Sequence, residues 1–600
     1  MRFPRLQEVS RYREMTTVFG GYSHQISCAE NQFYDMKNMT SKYFPILSPR
    51  QNRGIVKNFV NPQGILDKED LWWIDDKVLY RNGVEQTLEG VTLTDEAPKT
   101  MAKMGAYIII MPDKVWCNTN DEDGKLECGY MENKVKIIIG NEISFEICNA
   151  KGKRIAWHDA EYYKTTEAKE GDYMLDVDTD GKPSMKQYSG TTSMWMSVTS
   201  TCLLISAKGI GKGFEVGDGI KIKSDYTADS LHNVFVNKEN DGLYYSVNTY
   251  IIDKTDDSIT IPGIFLGKVQ SFTNINLIIE RKVPDMSFVT ECNNRLWGCS
   301  KDGHEIYCCK LGDVKNWNLF RGNSTDSWAA TIGSDGKFTG AITYLGYPMF
   351  FKEDSLLKIA VSSTGGHQTR ETKCRGVQSG SERSLCIMNE ILYYKSSMGI
   401  CGYTGSLPYG ISDDFGDVKY YDAVGGAMGD KYYVSMRDRN GEYSMFAYDS
   451  RNGIWCKEDD TNALMFCNYK DDLFYIDGKD NTMKSIGGTH LYDVPEKANE
   501  GRIDWFVESG VVGYSSPDNK YVGRINLRIT LEFGTSVDFF IQYDSCGEWE
   551  HKFNISGTGT RTYSIPIIPK RCDHFKYRLK GKGGCKIHSV TKTIEEGSDG

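Results

Sequence analysis

Seven short hydrophobic runs, most of them aromatic, recur along the chain, and each ends at a polar or charged break. The runs are Leu71–Ile74, Tyr107–Ile110, Arg295–Trp297, Met349–Phe351, Ile391–Tyr394, Lys431–Val434 and Asp472–Tyr475. From the fourth run onward they recur roughly every 40 residues, the length of a four-stranded propeller blade. This periodicity predicts an all-β protein built around a β-propeller of roughly seven blades.

The one large gap in this series lies between the second and third runs. Short strands such as Val135–Ile139 and Ile220–Ile222 alternate there with polar loops and lack the blade spacing. We therefore predict an inserted β-barrel-like domain that interrupts the propeller. The first blades are predicted at residues 54–131, the insertion at residues 132–285 and the remaining blades at residues 286–492.

The two ends of the chain do not follow the blade pattern. Residues 1–53 are polar, with little periodicity, which predicts either an extended N-terminal arm lying over a neighbouring surface or an ordered tail. Residues 500–595 contain strands with one apolar and one polar face, such as Ile525–Leu531 and Phe575–Leu579. That alternation predicts a C-terminal β-sandwich, which a polar linker around Pro495 joins to the propeller.

Composition narrows the class of protein. A chain of 600 residues exceeds what one core supports, so several domains are expected. The formal charge is -10, with Lys and Arg scattered among Asp and Glu, which disfavours a protein that grips nucleic acid. The 17 cysteines show no Cys-x-x-Cys spacing and predict reduced thiols in a protein made in cytoplasm. No apolar stretch approaches about 18 residues, so no membrane span is expected.

Three kinds of local motif could carry chemistry, and each has a structural alternative. Lys208–Gly213 is glycine-rich but lacks the Gly-Lys-Ser/Thr ending of a phosphate-binding loop, which favours a flexible loop. Asp302–Gly303, Asp335–Gly336 and Asp477–Gly478 are predicted to be turns in which glycine supplies a positive φ, rather than glycosidase carboxylates. Cys308–Cys309 are adjacent and would point to opposite faces of a strand, which predicts structural packing.

No active site can be defended from the sequence. The chain has 9 histidines, no His-Glu-x-x-His motif and no arrangement of Ser, His and Asp typical of a hydrolase. We therefore predict no catalytic, cofactor-binding or metal-binding residue, no cofactor, and a protein that is not an enzyme. The aromatic runs are predicted to be packing between blades rather than platforms for sugar stacking.

Several segments resemble bacteriophage tail proteins. Asn293–Ser300 with Glu305–Trp317 is similar to a phrase of phage propeller proteins in which a blade strand precedes a Gly-Asp-x-x-x-Trp loop, and Gly333–Gly340 resembles the next blade. Met36–Arg50 resembles the arm of those proteins, and Pro569–Phe575 resembles endings found in prophage tail genes. Together they are similar to the β-propeller tail nozzle (tail tubular) proteins of short-tailed phages.

The resemblance implies a structural component of a phage tail. Its subunits would form a homo-oligomeric ring, expected to be a hexamer, around a channel for genome ejection, and its outer surface would attach other tail or head-tail junction proteins. DNA would pass through without specific binding, which agrees with the acidic composition. The expected location is the virion, assembled in the cytoplasm of the host bacterium. The C-terminal sandwich has no match in nozzle proteins, which leaves the position along the tail open.

Two other functions stay open. A glycan-binding or glycan-cleaving propeller at the host surface would bring carboxylates and arginines together at one end of the propeller channel, and a plugged channel would exclude it. A cytoplasmic scaffold with Trp-Asp repeats is disfavoured, because the Gly-His and Trp-Asp signatures do not recur in each blade.

Overall fold

The structure is a computed structural model of the chain. It describes residues 11–96, 98–120, 124–179, 182–198, 201–225, 234–239, 244–264, 270–361, 366–489, 500–513 and 519–596. In this part of the chain the elements are β-strands and three short 3-10 helices, Tyr162–Lys164, Glu382–Ser384 and Asp413–Phe415. The predicted linker around Pro495 lies outside the described residues.

Seven sheets, each with four consecutively paired antiparallel strands, form the blades. Blade one comprises Pro62–Lys68, Asp70–Asp75, Val78–Arg81 and Val84–Glu85. Blade two comprises Thr100–Met104, Tyr107–Met111, Val115–Asn118 and Lys125–Tyr130. Blade three comprises Met286–Glu291, Leu296–Ser300, Glu305–Cys308 and Trp328–Thr331. Blade four comprises Gly340–Tyr344, Tyr347–Phe351, Ser355–Val361 and His367–Lys373. Blade five comprises Cys386–Met388, Ile391–Ser396, Gly399–Tyr403 and Tyr409–Gly410. Blade six comprises Tyr421–Met428, Lys431–Arg437, Tyr443–Asp449 and Ile454–Lys457. In blade two, Thr87–Glu89 adds a fifth, parallel strand. The predicted all-β propeller is confirmed.

Blade seven is completed by a strand from the other end of the propeller sequence. Ala463–Tyr469, Asp472–Asp477 and Thr482–Ser485 pair in order, and Gly54–Asn58 then pairs antiparallel with the third strand. The first and last parts of the propeller sequence are therefore hydrogen-bonded to each other within one blade. The ring of blades cannot open without breaking this strand pairing.

Each of the seven hydrophobic runs overlaps the second strand of a blade. Their side chains are buried alternately on the two sides of the blade: Trp73 packs in a core shared with blade seven, and Trp72 in a core shared with blade two. Cys308 and Cys309 divide in the same way between the cores on either side of blade three. The prediction that these residues pack between blades is confirmed.

Asp302–Gly303 and Asp477–Gly478 lie at turns within blades, whereas Asp335–Gly336 lies in the segment that links blades three and four. Gly303 and Gly336 have φ values of 89° and 90°, as expected. The expectation of a positive φ is wrong for Gly478, where a Cβ would instead lie 2.8 Å from the side chains of Asn462 and Leu464. Close packing, rather than a left-handed conformation, accounts for glycine at that turn.

The insertion contains two separate five-stranded sheets that share one core, together with a four-stranded sheet. The first five-stranded sheet comprises Asn133–Ile137, Leu277–Arg281, Gly219–Ser224, Tyr245–Tyr250 and Asn237–Lys238. The second comprises Asp253–Thr255, Ser258–Pro262, Cys202–Ser206, Ile143–Cys148 and Gln270–Phe272, and the four-stranded sheet comprises Trp157–Asp159, Tyr173–Val177, Pro183–Ser189 and Met194–Ser197. The loop Lys208–Gly213 lies in turns, and the amide of Gly209 donates to a carboxylate oxygen of Asp257 at 2.6 Å.

The C-terminal module is a β-sandwich, and the N-terminal arm supplies one edge strand to each of its two sheets. The back sheet comprises Arg11–Thr16, Cys585–Glu596, Lys520–Leu531, Gly559–Ile565 and Arg571–Cys572. The other sheet, here called the cleft sheet, comprises in spatial order Phe33–Lys37, Asp504–Ser509, Phe575–Lys582, Ser536–Tyr543 and Glu550–Ser556. The remaining arm strands, Met39–Thr40 and Ser48–Pro49, pair with each other.

The arm also joins the sandwich to the propeller. Tyr22 and Phe33 belong to one continuous core with Phe446 and Trp455 of blade six and with the inner faces of both sandwich sheets. The amide of Tyr22 donates to the carbonyl of Trp455 at 2.7 Å. This shared core fixes the sandwich against the propeller and defines the space between them.

Candidate functional site

Two cavities are the candidates for a functional site. The first lies on the propeller axis, has a volume of ≈ 490 Å³ and is lined by the innermost strands of the blades. Its lining includes Ile65, Met101, Val289, Ala341, Leu385, Gly425 and Met465. Side chains therefore leave a space of this size on the axis.

The axial cavity brings a carboxylate and a guanidinium together. Glu382 and Arg383, in the 3-10 helix that precedes blade five, both line it. Arg383 donates to the carbonyl of Leu464 at 2.8 Å, and burial lowers the pKa of its guanidinium. Glycoside hydrolysis generally requires two carboxyl groups across the bond that is cleaved. Glu382 is the one carboxylate in the lining among the described residues.

The second cavity is an open cleft of ≈ 700 Å³ between blade seven and the cleft sheet, here called the interdomain cleft. Its floor is the segment that enters blade seven, with Arg50 and Arg53. One wall belongs to blade seven and the other to the polar face of the cleft sheet. Clefts at domain interfaces are the usual place for ligand binding.

A buried ion cluster forms the floor of the interdomain cleft. The guanidinium of Arg53 lies 2.7 Å from a carboxylate oxygen of Glu458 and 2.7 Å from one of Asp459, and it donates to the Tyr475 hydroxyl at 2.8 Å. Arg50 lies 3.1 Å from Asp459 and 2.6 Å from Glu500. Burial by itself would raise the pKa of Asp459, but Arg53 and Arg50 outweigh it and lower that pKa.

The blade seven wall presents further ion pairs. Lys484 contacts Asp477 at 2.8 Å and Asp480 at 2.9 Å, and Lys479 contacts Asp460 at 2.9 Å. The hydrogen bond from Lys479 lowers the pKa of Asp460. Asp460 is therefore an ionised acceptor for hydrogen bonds from a ligand.

The opposite wall is the polar face of the cleft sheet. Phe506 is half-buried there, and its register partners on the neighbouring strands are Lys37 and Lys580. Asp538 lies on the same face and accepts hydrogen bonds from His551 at 2.9 Å and Asn554 at 2.8 Å. Because alternate residues of these strands are buried in the sandwich, the wall side chains are held on a rigid surface.

Raised carboxyl pKa values, which a general acid needs, occur away from this cleft. Burial raises the pKa of Asp218, at the junction of the insertion with blade three, and that of Asp414, beneath the arm. Asp218 is held by Arg281, and Asp414 lies next to Asp413 and Ser23. Neither of these two carboxyl groups lines the interdomain cleft.

Of the residues singled out from the sequence, Asp477 lies in the wall of the interdomain cleft, whereas Asp302 and Asp335 lie in turns elsewhere. The arginines of the cleft floor carried no local motif and could not be assigned to a site from spacing alone. Among the described residues, no group of three or more His, Cys, Asp and Glu is arranged to hold a metal ion. Within the same residues, no helix has the length and apolar character needed to cross a membrane.

Comparison with known proteins gives weak structural likenesses. No family model matches the chain, and no curated protein matches it by sequence. An exo-β-1,3-galactanase from Phanerochaete chrysosporium is similar over 50% of this chain and 92% of its own, at 10% identity and a TM-score of 0.20. A phage phi92 endosialidase is similar over 80% of this chain and 65% of its own, at 9% identity and a TM-score of 0.16. A puromycin hydrolase is similar over 62% of this chain and 57% of its own, at 8% identity and a TM-score of 0.20.

These comparisons contradict the prediction that the protein is not an enzyme, because the three similar structures named above are enzymes. At this identity the likeness is one of fold and identifies no reaction for this chain. The resemblance to tail nozzle proteins has no matching sequence family. The chain is a large β-propeller protein with an insertion and a C-terminal sandwich.

Proposed function

We propose that the protein is a glycan-binding propeller that acts at the host surface as part of a phage tail. The observation that carries the proposal is the interdomain cleft of ≈ 700 Å³, which is open to solvent and walled by charged side chains on rigid strands. The tail assignment itself comes from the sequence resemblance and stays a prediction.

The chemistry of the cleft walls suits a saccharide. Sugar hydroxyls both donate and accept hydrogen bonds, and the walls supply donors such as Lys484 and Lys580 beside acceptors such as Asp477 and Asp538. Phe506 adds an apolar ring surface between them. Because the cleft is open, a long polymer can lie across it and be bound at its internal units rather than at a chain end.

The same hypothesis includes a propeller that cleaves glycans. In this structure the axial cavity is the candidate site for cleavage. Glu382 and Arg383 line it, and Glu382 supplies one of the two carboxyl groups that glycoside hydrolysis generally uses. A glycan held in the interdomain cleft would then be bound at a site separate from any cleavage.

A glycan array probed with the labelled full-length protein tests the proposal. We expect binding to a defined set of glycans and a roughly fivefold loss of affinity in Phe506→Ala, from the lost ring contact. Tyr347→Ala, which removes a partly exposed ring from blade four, is the matched control and should bind normally. An array without binding, or equal binding by Phe506→Ala with intact folding, would overturn the proposal.

A further inference from the structure

One strand of the cleft sheet carries a row of positive charges. Phe575–Lys582 is the third of five strands, and its alternate residues Lys576, Arg578, Lys580 and Lys582 project to the polar face. Side chains on one face of a strand are about 6.6 Å apart along it. We call this row the cationic ladder.

The cationic ladder runs into the interdomain cleft, where Lys580 and Lys582 form part of the wall. Eight cationic side chains line the cleft: Lys37, Arg50, Arg53, Lys479, Lys484, Arg502, Lys580 and Lys582. Six carboxylates line it: Asp459, Asp460, Asp477, Glu500, Asp504 and Asp538. Glu458 and Asp480, which pair with Arg53 and Lys484, balance this difference, so the positive charge without a carboxylate partner lies on the cationic ladder.

Part of this charge is not neutralised by carboxylates. Arg578 pairs with Glu508, and Lys582 lies 3.5 Å from Asp504. Within the described part of the chain, Lys576 and Lys580 form no ion pair and lie against aromatic rings instead, 5.1 Å from the centroid of Tyr34 and 5.6 Å from that of Phe540. These two ammonium groups are available to an anionic ligand.

We infer that the glycan bound in the interdomain cleft is acidic and that its charged groups lie along the cationic ladder. The inference rests on the proposed function and adds the charge of the ligand and its path. A linear polymer with carboxylate or phosphate groups on successive units would meet one cation after another on the strand. The hydroxyl groups between them would reach acceptors such as Asp538.

The ladder is less suited to a single-stranded nucleic acid, the other linear polyanion. Binding of single strands depends on aromatic faces on which bases stack. Here the Arg578 guanidinium lies 4.0 Å from the centroid of the Trp549 ring, and lysines lie over the rings of Tyr34 and Phe540.

The test measures binding of the full-length protein to polygalacturonate, to its methyl ester as the uncharged counterpart, to poly(glycerol phosphate) and to single-stranded DNA. The variant is Lys576→Gln with Lys580→Gln. The matched control is Lys238→Gln, an exposed lysine on a strand of the insertion. We expect at least one acidic polymer to bind more tightly than the methyl ester, with roughly tenfold weaker binding in the double variant and a smaller dependence on salt.

The outcomes separate the inference from the proposed function. Equal binding of polygalacturonate and its ester, or of a neutral array glycan alone, would overturn the acidic ligand and leave glycan binding intact. Absence of binding to every glycan would overturn both. Binding of DNA with equal affinity and the same loss in the double variant would overturn the inference in favour of nucleic acid. A preference for one acidic polymer identifies the source of the negative charge.

Discussion

Substitution of Arg53 tests how the propeller is closed. Arg53 directly precedes Gly54–Asn58, the strand that completes blade seven, and its side chain is 3% exposed. It neutralises Glu458 and Asp459, which are themselves 3% and 9% exposed. Arg53→Met keeps the length of the side chain but leaves buried Glu458 without its cation and Asp459 with Arg50 alone.

The cost follows from that burial. Removing one partner of a buried ion pair destabilises a protein by about 3–5 kcal/mol, because the remaining charge is desolvated without compensation. Arg50→Met is the matched control: Asp459 keeps Arg53 as its partner, and Glu500 is 39% exposed and screened by water. We expect the control to cost about 1–3 kcal/mol.

Hydrogen exchange is the suitable assay, because a chain with several domains does not unfold in one two-state step. Amides of Gly54–Asn58 and Thr482–Ser485 should exchange faster in Arg53→Met, while those of the insertion keep their protection. A loss of protection below about 1 kcal/mol in Arg53→Met, or one no greater than in Arg50→Met, would refute the role given to this cluster.

The same cluster predicts a dependence on pH. The pKa of Asp459 is lowered in the folded protein, so its contribution to stability is present above its unfolded pKa and is lost as the pH falls through its folded pKa. In Arg53→Met only Arg50 still opposes the effect of burial on Asp459, so the pKa of that carboxyl rises from its wild-type position. The difference in stability between the variant and the wild type should therefore shrink as the pH falls towards the ordinary pKa of an aspartate, about 4. A difference that is independent of pH would contradict this explanation.

Three further predictions concern the arm, the core and a buried lysine. Gly21→Ala should detach the arm from blade six, because a Cβ would lie 2.4 Å from the carbonyl of Trp455, and limited proteolysis of the arm should accelerate, whereas Gly90→Ala, at an open turn, should not. Trp73→Ala should cost about 3–5 kcal/mol in thermal unfolding of the propeller, and a loss under about 1 kcal/mol would contradict its place in the core between blades. Burial lowers the pKa of Lys395 to about 8, below its unfolded value. The charged side chain therefore destabilises the folded protein below that pKa, and this destabilisation is lost as the pH rises. The gain in stability from Lys395→Met should thus be larger at pH 7 than at pH 10 in denaturant unfolding, and an equal gain at both would refute the assignment.

The repeating runs were sufficient to predict the propeller, because the second strand of each blade buries both of its faces. Each blade therefore repeats the same dense apolar pattern. Gly54–Asn58 carries no such pattern, and nothing local shows that its partner is Thr482–Ser485. The alternation in Phe575–Leu579 predicted one wet face of a sandwich, but not that this face looks onto blade seven. The interdomain cleft depends on that packing, so its residues could not be grouped from the sequence.

The tail assignment can be examined separately from the binding site. Electron micrographs of virions labelled for this protein should show a ring, expected to have six subunits, in the tail. Virions without such a ring would contradict the structural part of the resemblance and leave the glycan-binding proposal to its own tests.

The most direct measurement is an experimentally determined structure of the full-length protein with an acidic oligosaccharide bound. The account predicts ligand density in the interdomain cleft, in contact with Phe506 and Lys580, and continuing along the cationic ladder towards Lys576. Density confined to the axial cavity around Glu382, or ligand bound to another surface with the interdomain cleft empty, would contradict it.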